Sequence, residues 1–219
     1  MSPWLARRWY DTVFWTTYVG FGLGWSLRVS GRRNMPASGP VLVLANHQSF
    51  FDPVLVGLAS RRYLSYLARK TLFKNQFLKG LIESLDAIPI DQEGLGIDGL
   101  KAVLEKLSLG KAVLVFPEGH RSPDGEMHEL MAGVTLLVKK MQGLIVPVGI
   151  AGAYDSWPRR QKLPTPAPLF LRPSPGTIAL SVGKPIDPAS LRSLPREQML
   201  ATLHDAIRAE WDRAKALKR

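Results

Sequence analysis

His47 is followed five positions later by Asp52, a spacing at which one side chain can orient the other. An imidazole acting as general base needs one ring nitrogen free for its substrate and the other held by an acceptor that fixes the tautomer. Asp52 can be that acceptor. The competing reading makes Asp52 a helix cap before Pro53 and His47 an incidental loop residue. A second constellation, Phe116-Pro117-Glu118-Gly119-His120-Arg121-Ser122, gathers a carboxylate, a flexible glycine and a guanidinium. Such a set can orient a hydroxyl and grip a phosphate through two parallel hydrogen bonds. Its plainer reading is a strand-end turn with a surface ion pair. The chain has no cysteine, so disulfides, zinc–thiolate sites and a thiol nucleophile are all excluded.

Both constellations follow apolar runs, and these runs define the elements that must position them. Val41-Leu42-Val43-Leu44 and Ala112-Val113-Leu114-Val115-Phe116 read as strands buried on both faces. Around them the pattern predicts a short helix from Pro53, a strand over Tyr63 to Ala68, a helix over Leu72 to Leu85 and a strand over Ala87 to Ile90. Helices are then expected over Gly99 to Leu107 and Leu130 to Met141, with a strand interrupted by Pro147 over Leu144 to Ile150. A last strand over Thr177 to Val182 precedes a helix whose apolar face carries Leu200, Leu203, Ile207, Trp211 and Ala214. This alternation predicts an α/β domain with a largely parallel central sheet flanked by helices, in which ligands gather at the carboxyl ends of strands. Residues 158–175 hold six prolines with Arg159, Arg160 and Lys162, a stiff basic loop that is either a connector or a surface flap.

The amino-terminal thirty residues differ in character. Between Asp11 and Arg28 lie 16 uncharged residues, and eight of the chain's 19 aromatic residues fall within residues 1–28. Phe14, Tyr18, Phe21 and Trp25 share one helical face, with Arg7, Arg8, Arg28, Arg32 and Arg33 flanking it. Three threonines and three glycines make the run a poor spanning helix. It reads as a membrane-interface anchor over residues 1–30 ahead of a domain over 31–219, the alternative being a core helix packed on that domain. The chain's 219 residues carry 29 Lys plus Arg against 18 Asp plus Glu, a net charge of +11, which favours anionic partners. Hydrophobic residues at 46% and a mean hydropathy of −0.01 exclude both a disordered chain and a polytopic membrane protein.

Taken together, Asn46-His47 through Asp52, Ala87-Ile88-Pro89-Ile90-Asp91, Phe116-Pro117-Glu118-Gly119 with Arg121-Ser122, and Ile145-Val146-Pro147-Val148 carry a resemblance. In order and spacing they look like the motifs of the glycerolipid acyltransferase family typified by 1-acylglycerol-3-phosphate acyltransferase, over roughly residues 36–152. The resemblance implies transfer of a fatty acyl group from acyl-CoA or acyl-carrier protein to the free hydroxyl of a lysophospholipid. The first candidate acceptor is 1-acylglycerol-3-phosphate, giving phosphatidic acid. It further implies a monotopic enzyme at the cytoplasmic face of a membrane, with no cofactor or metal beyond the acyl donor. His47 would be the catalytic base and Asp52 its orienting partner, while Glu118, Gly119 and Arg121 would bind the acceptor. A thioester is already activated, so a hydroxyl needs only deprotonation and oxyanion stabilisation, without a covalent enzyme intermediate. Two residues depart from the family pattern: Gln92 stands where a basic residue is common, and His120 where a small residue is usual.

Two other function classes compete. Gly94-Leu95-Gly96-Ile97-Asp98-Gly99 matches a dinucleotide-binding glycine pattern, with Glu118 19 positions beyond its last glycine. Asp91, Gln92 and Glu93 separate it from the preceding strand and would set carboxylates near a pyrophosphate, which disfavours an NAD-dependent oxidoreductase. A non-enzymatic basic domain bound to membrane or nucleic acid is the other class. Its pairs Arg61-Arg62, Lys139-Lys140 and Arg159-Arg160 are scattered along the chain, so nucleic acid is not an expected partner.

Overall fold

A run without a polar side chain, such as residues 41–45, is stable as a strand only when both of its faces are covered. The computed structural model, which describes residues 3–70, 87–90 and 96–218, puts this run at the centre of a sheet with helices on each side. The order of elements is α1 (Pro3–Trp25), β1 (Arg28–Ser30), β2 (Val41–Ala45), α2 (Asp52–Ser60), β3 (Leu64–Arg69), β4 (Ala87–Ile90) and α3 (Ile97–Ser108). It continues with β5 (Ala112–Val115), α4 (Gly133–Lys140), β6 (Leu144–Ala151), α5 (Ala153–Ser156), β7 (Ala179–Val182), α6 (Ala189–Arg192) and α7 (Arg196–Leu217). The expected helix over Leu72 to Leu85 and the residue Gln92 lie outside the described residues.

Among the described residues, seven strands follow the order β1-β7-β6-β2-β5-β3-β4. Strands β6, β2, β5, β3 and β4 are mutually parallel, whereas β7 pairs antiparallel with β6 and carries β1 beside it. The largely parallel α/β sheet expected from the alternation is present. Strand β1 is the addition: three residues after α1 have too little pattern to read as a strand, yet Arg28 to Ser30 pair with Ala179 to Ser181. The boundary expected at residue 30 coincides with the end of β1. Pro147 does not interrupt β6. Its missing N–H falls opposite Gly183, at the end of the β7 pairing, where the Pro147 carbonyl still accepts the Gly183 N–H at 2.8 Å.

Period-two alternation divides the core into two layers. Leu42 and Leu44 of β2 pack with Val103 and Leu107 of α3, Val134 and Leu137 of α4, and Leu203, Ile207 and Trp211 of α7. Val41, Val43 and Ala45 face the opposite way and pack with Leu55 and Val56 of α2. Phe21 joins this second layer, and Phe14, Tyr18 and Trp25 pack against it. The aromatic stripe of α1 is thus turned toward the protein, while Trp15, Val19 and Leu23 on the other face are exposed. Among the described residues no helix is long and apolar enough to cross a membrane.

The closest approach of a helix to the sheet depends on one missing side chain. A Cβ on Gly149 of β6 would lie 2.0 Å from the Trp211 backbone nitrogen and 2.1 Å from the Glu210 carbonyl carbon in α7. Gly149→Ala should destabilise the fold by at least about 3 kcal/mol, because backbone must move to relieve the clash. Gly20→Ala in α1, where the added carbon meets nothing within 4 Å, should be neutral or stabilise by up to about 1 kcal/mol. Urea unfolding of the two variants measures the contrast.

Candidate active site

Parallel pairing of β2 with β5 in the register Val41↔Ala112 to Leu44↔Val115 brings the carboxyl ends of the two strands side by side. The residues that follow each strand, 46–52 and 116–122, therefore meet although about 70 positions separate them. Asn46, the first residue beyond β2, is fully buried and exchanges two hydrogen bonds with the backbone of Ile150 in β6, at 2.8 and 3.0 Å. It fastens the start of the loop to the neighbouring strand.

The backbone of His47 is held from both sides by the second constellation. Its N–H donates to Glu118 Oε1 at 2.7 Å, and its carbonyl accepts the Ser122 N–H at 2.8 Å. The imidazole lies flat on the Phe116 ring, with centroids 3.9 Å apart and planes 12° from parallel. Asp52 Oδ2 sits 2.8 Å from His47 Nδ1. A carboxylate can only accept, so Nδ1 carries the proton and Nε2 presents its lone pair. Nε2 has no hydrogen bond among the described residues, and the His47 side chain retains 18% of its exposure. The orientation of the ring is thereby fixed.

Asp52 does not act as a helix cap. It is the first residue of α2, and its Oδ2 turns back to accept the N–H groups of Gln48 at 2.6 Å and Ser49 at 2.7 Å as well as the His47 ring. Three donors on one oxygen of a fully buried carboxylate lock both the loop and the imidazole.

Glu118 faces the interior of the site loops. It is buried, and its second oxygen accepts the His128 N–H at 2.9 Å, so both oxygens are engaged with backbone of the site loops. Burial pushes its carboxyl up to about 7 against the pull of these two hydrogen bonds. Gly119 has φ +79, a left-handed conformation that only glycine adopts without strain, and its N–H closes a turn on the Phe116 carbonyl at 3.1 Å. That turn tucks Glu118 inward and carries the chain back toward His47. Arg121, half-buried, stacks its guanidinium over the Phe50 ring 3.5 Å from the centroid. His120 is exposed.

Some contributors have no signal in the sequence. Trp157 touches Phe50 and Phe51 with its ring and accepts the Ser49 hydroxyl through its carbonyl at 2.8 Å. Gln48 donates to the Gly125 carbonyl at 2.6 Å. Asp124, held at about 2 by the Glu126 N–H, the Ser122 hydroxyl and His128, sets the conformation of the loop that delivers the His128 N–H to Glu118. Of the supporting residues, Asn46, Phe116 and Ser122 were legible as components of motifs.

The sequence model of the family described as Acyltransferase matches residues 26–151, more than half of the chain. The chain belongs to the acyltransferase family. This acyltransferase is 26% identical over 182 residues to the 1-acyl-sn-glycerol-3-phosphate acyltransferase of Bacillus subtilis, covering 83% of this chain and 84% of the relative. It is 30% identical over 168 residues to the protein of the same name from Pseudomonas aeruginosa, covering 71% of this chain and 60% of the relative. Its fold matches the crystal structure of the 1-acyl-sn-glycerophosphate (LPA) acyltransferase PlsC from Thermotoga maritima with a TM-score of 0.70 and 26% identity, over 87% of this chain and 72% of that one. The dinucleotide reading gives way to this assignment. Gly94 lies outside the described residues, and Asp98 in the first turn of α3 would oppose a phosphate at that helix end.

The buried Glu118 makes stability depend on pH in a defined direction. Folded, it holds a proton up to about pH 7; its ordinary value is 4.5, so between these limits the folded state binds more protons and stability falls as pH rises. Relative to Glu118→Gln, which cannot titrate, the wild type should lose up to about 3 kcal/mol across that interval. Urea titrations near each end measure it. Parallel stability profiles would show that Glu118 is ionised throughout.

Proposed function

We propose that this acyltransferase moves a fatty acyl group from acyl-CoA or acyl-carrier protein to the free hydroxyl of a lysophospholipid, with 1-acylglycerol-3-phosphate as the first candidate acceptor. The observation that carries the reading is the His47 ring, held at Nδ1 by Asp52 Oδ2 at 2.8 Å with Nε2 left to take a proton. The names of its relatives support the choice of acceptor.

In the proposed reaction the acceptor hydroxyl loses its proton to His47 Nε2 as its oxygen attacks the thioester carbonyl. The tetrahedral oxyanion collapses, the carbon–sulfur bond breaks, and the proton on Nε2 passes to the departing thiolate. Asp52 holds the imidazole in the reactive tautomer and stabilises the imidazolium that forms. No side chain forms a covalent bond. Arg121 supplies a planar guanidinium for the acceptor phosphate, with Gly119 shaping the turn that presents it. Glu118 contributes by holding the backbone of His47 rather than by reaching the acceptor. The enzyme works while seated on the cytoplasmic face of a membrane without spanning it, and the exposed face of α1 supports this placement.

With labelled acyl-CoA and 1-acylglycerol-3-phosphate, His47→Ala should lower kcat by about two to four orders of magnitude while circular dichroism stays unchanged. Asp52→Asn should act in the same direction, because a neutral amide neither holds the reactive tautomer as firmly nor stabilises the imidazolium. Near-normal turnover in His47→Ala would overturn the mechanism. Arg121→Ala should raise the KM for the acceptor and leave the KM for the donor nearly unchanged; equal changes in both would remove Arg121 from the acceptor pocket.

A further inference from the structure

The segment between α5 and β7 exposes apolar side chains that folding does not require. Leu163 and Phe170 are 74% and 78% exposed, and Leu169 and Leu171 are also open to solvent. Isolated exposed leucines are common in proteins, but four large apolar residues exposed within nine positions of one loop point to an interaction surface.

This patch is held rigidly. The Ala167 N–H donates to the Gly24 carbonyl and the Leu169 N–H to the Leu23 carbonyl, both at 2.9 Å. Trp25 Nε1 donates to the Thr165 carbonyl and Ser26 Oγ to the Ala167 carbonyl, again at 2.9 Å each. The loop is therefore stitched to the last turn of α1, and Leu169 lies beside Leu23. On α1, Trp15, Val19 and Leu23 follow one another at steps of four and are exposed. The two exposed sets are thus joined where Leu169 meets Leu23.

Charge identifies the occupant. Residues 158–176 contain Arg159, Arg160, Lys162 and Arg172, all exposed, and no carboxylate. Apolar side chains ringed by cations match the interfacial region of an anionic bilayer, where the apolar groups enter the acyl boundary and the cations meet the headgroups. An acidic protein would engage the cations but leave the leucines and Phe170 in water.

We propose that the loop over residues 158–172 is a second membrane-docking element, acting with the exposed face of α1 to seat the molecule on an anionic phospholipid surface. This rests on the membrane-seated reading of the enzyme. The loop begins at Trp157, whose ring packs on Phe50 and whose carbonyl holds Ser49. Docking the loop therefore sets the mouth of the active site against the bilayer from which a lysolipid would enter.

The absence of cysteine provides a direct test. Full-length Phe170→Cys carries a single thiol for an environment-sensitive fluorophore, with Ala201→Cys on the exposed face of α7 as the reference position. On vesicles of phosphatidylcholine with phosphatidylglycerol, the label at 170 should shift to the blue and be quenched by spin-labelled acyl chains, while the label at 201 should not respond. Phe170→Ser combined with Leu171→Ser should weaken vesicle binding at least about tenfold. Arg159→Gln combined with Arg160→Gln should weaken it about tenfold, and only when phosphatidylglycerol is present. If the protein sediments with vesicles but the label at 170 stays unchanged, α1 alone docks and the proposal fails. If the protein ignores vesicles altogether, the membrane-seated reading fails with it. A response at 170 to soluble acyl-carrier protein but not to vesicles would make the loop a donor-docking surface and overturn the lipid assignment.

Discussion

The buried carboxylate of Glu118 links the parts on which the site depends. Through one oxygen it fixes the backbone of His47 at the end of β2, and through the other the backbone of His128 in the loop that follows β5. Strand pairing alone places two loops near one another; it does not determine where an imidazole sits to within a fraction of an ångström. Removing a carboxylate from water is costly. That cost appears here as a carboxyl pushed up to about 7, and it is offset by the two N–H bonds that make the geometry unique.

The two buried carboxylates divide their tasks by surroundings. Asp52 concentrates three donors on one oxygen, and the His47 ring is one of them. Glu118 spreads its bonds over both oxygens and touches backbone only. The first therefore fixes the imidazole, and the second fixes the position of the chain. Phe116 completes the arrangement by providing a flat surface under the ring, so that rotation away from Asp52 would forfeit the stacking contact.

Helix α1 shows how one short element can serve two surfaces. Its inward stripe covers the sheet layer formed by Val41, Val43 and Ala45, a face that a double-sided strand cannot leave in water. Its outward stripe, Trp15, Val19 and Leu23, stays exposed to solvent. Flanked by arginines and joined to the proline-rich loop at Leu23, that stripe is the feature on which the proposed seat on an anionic lipid surface rests.

Strong local patterns were readable without coordinates. The apolar runs at 41–44 and 112–116 became adjacent central strands, and the five-residue interval from His47 to Asp52 became a hydrogen bond, because loop geometry over so few residues is governed locally. The phase of Phe14, Tyr18, Phe21 and Trp25 was legible as well, since a helix imposes it. Whether that stripe faces lipid or protein was not, because both environments reward the same apolar periodicity. The inversion of β7, the strand at 28–30, the inward turn of Glu118 and the approach of Trp157 to Phe50 were decided only in three dimensions. Each depends on a partner more than 70 positions away or on an edge left open by other strands, and no local pattern in a sequence records which distant backbone donor a buried carboxylate will meet.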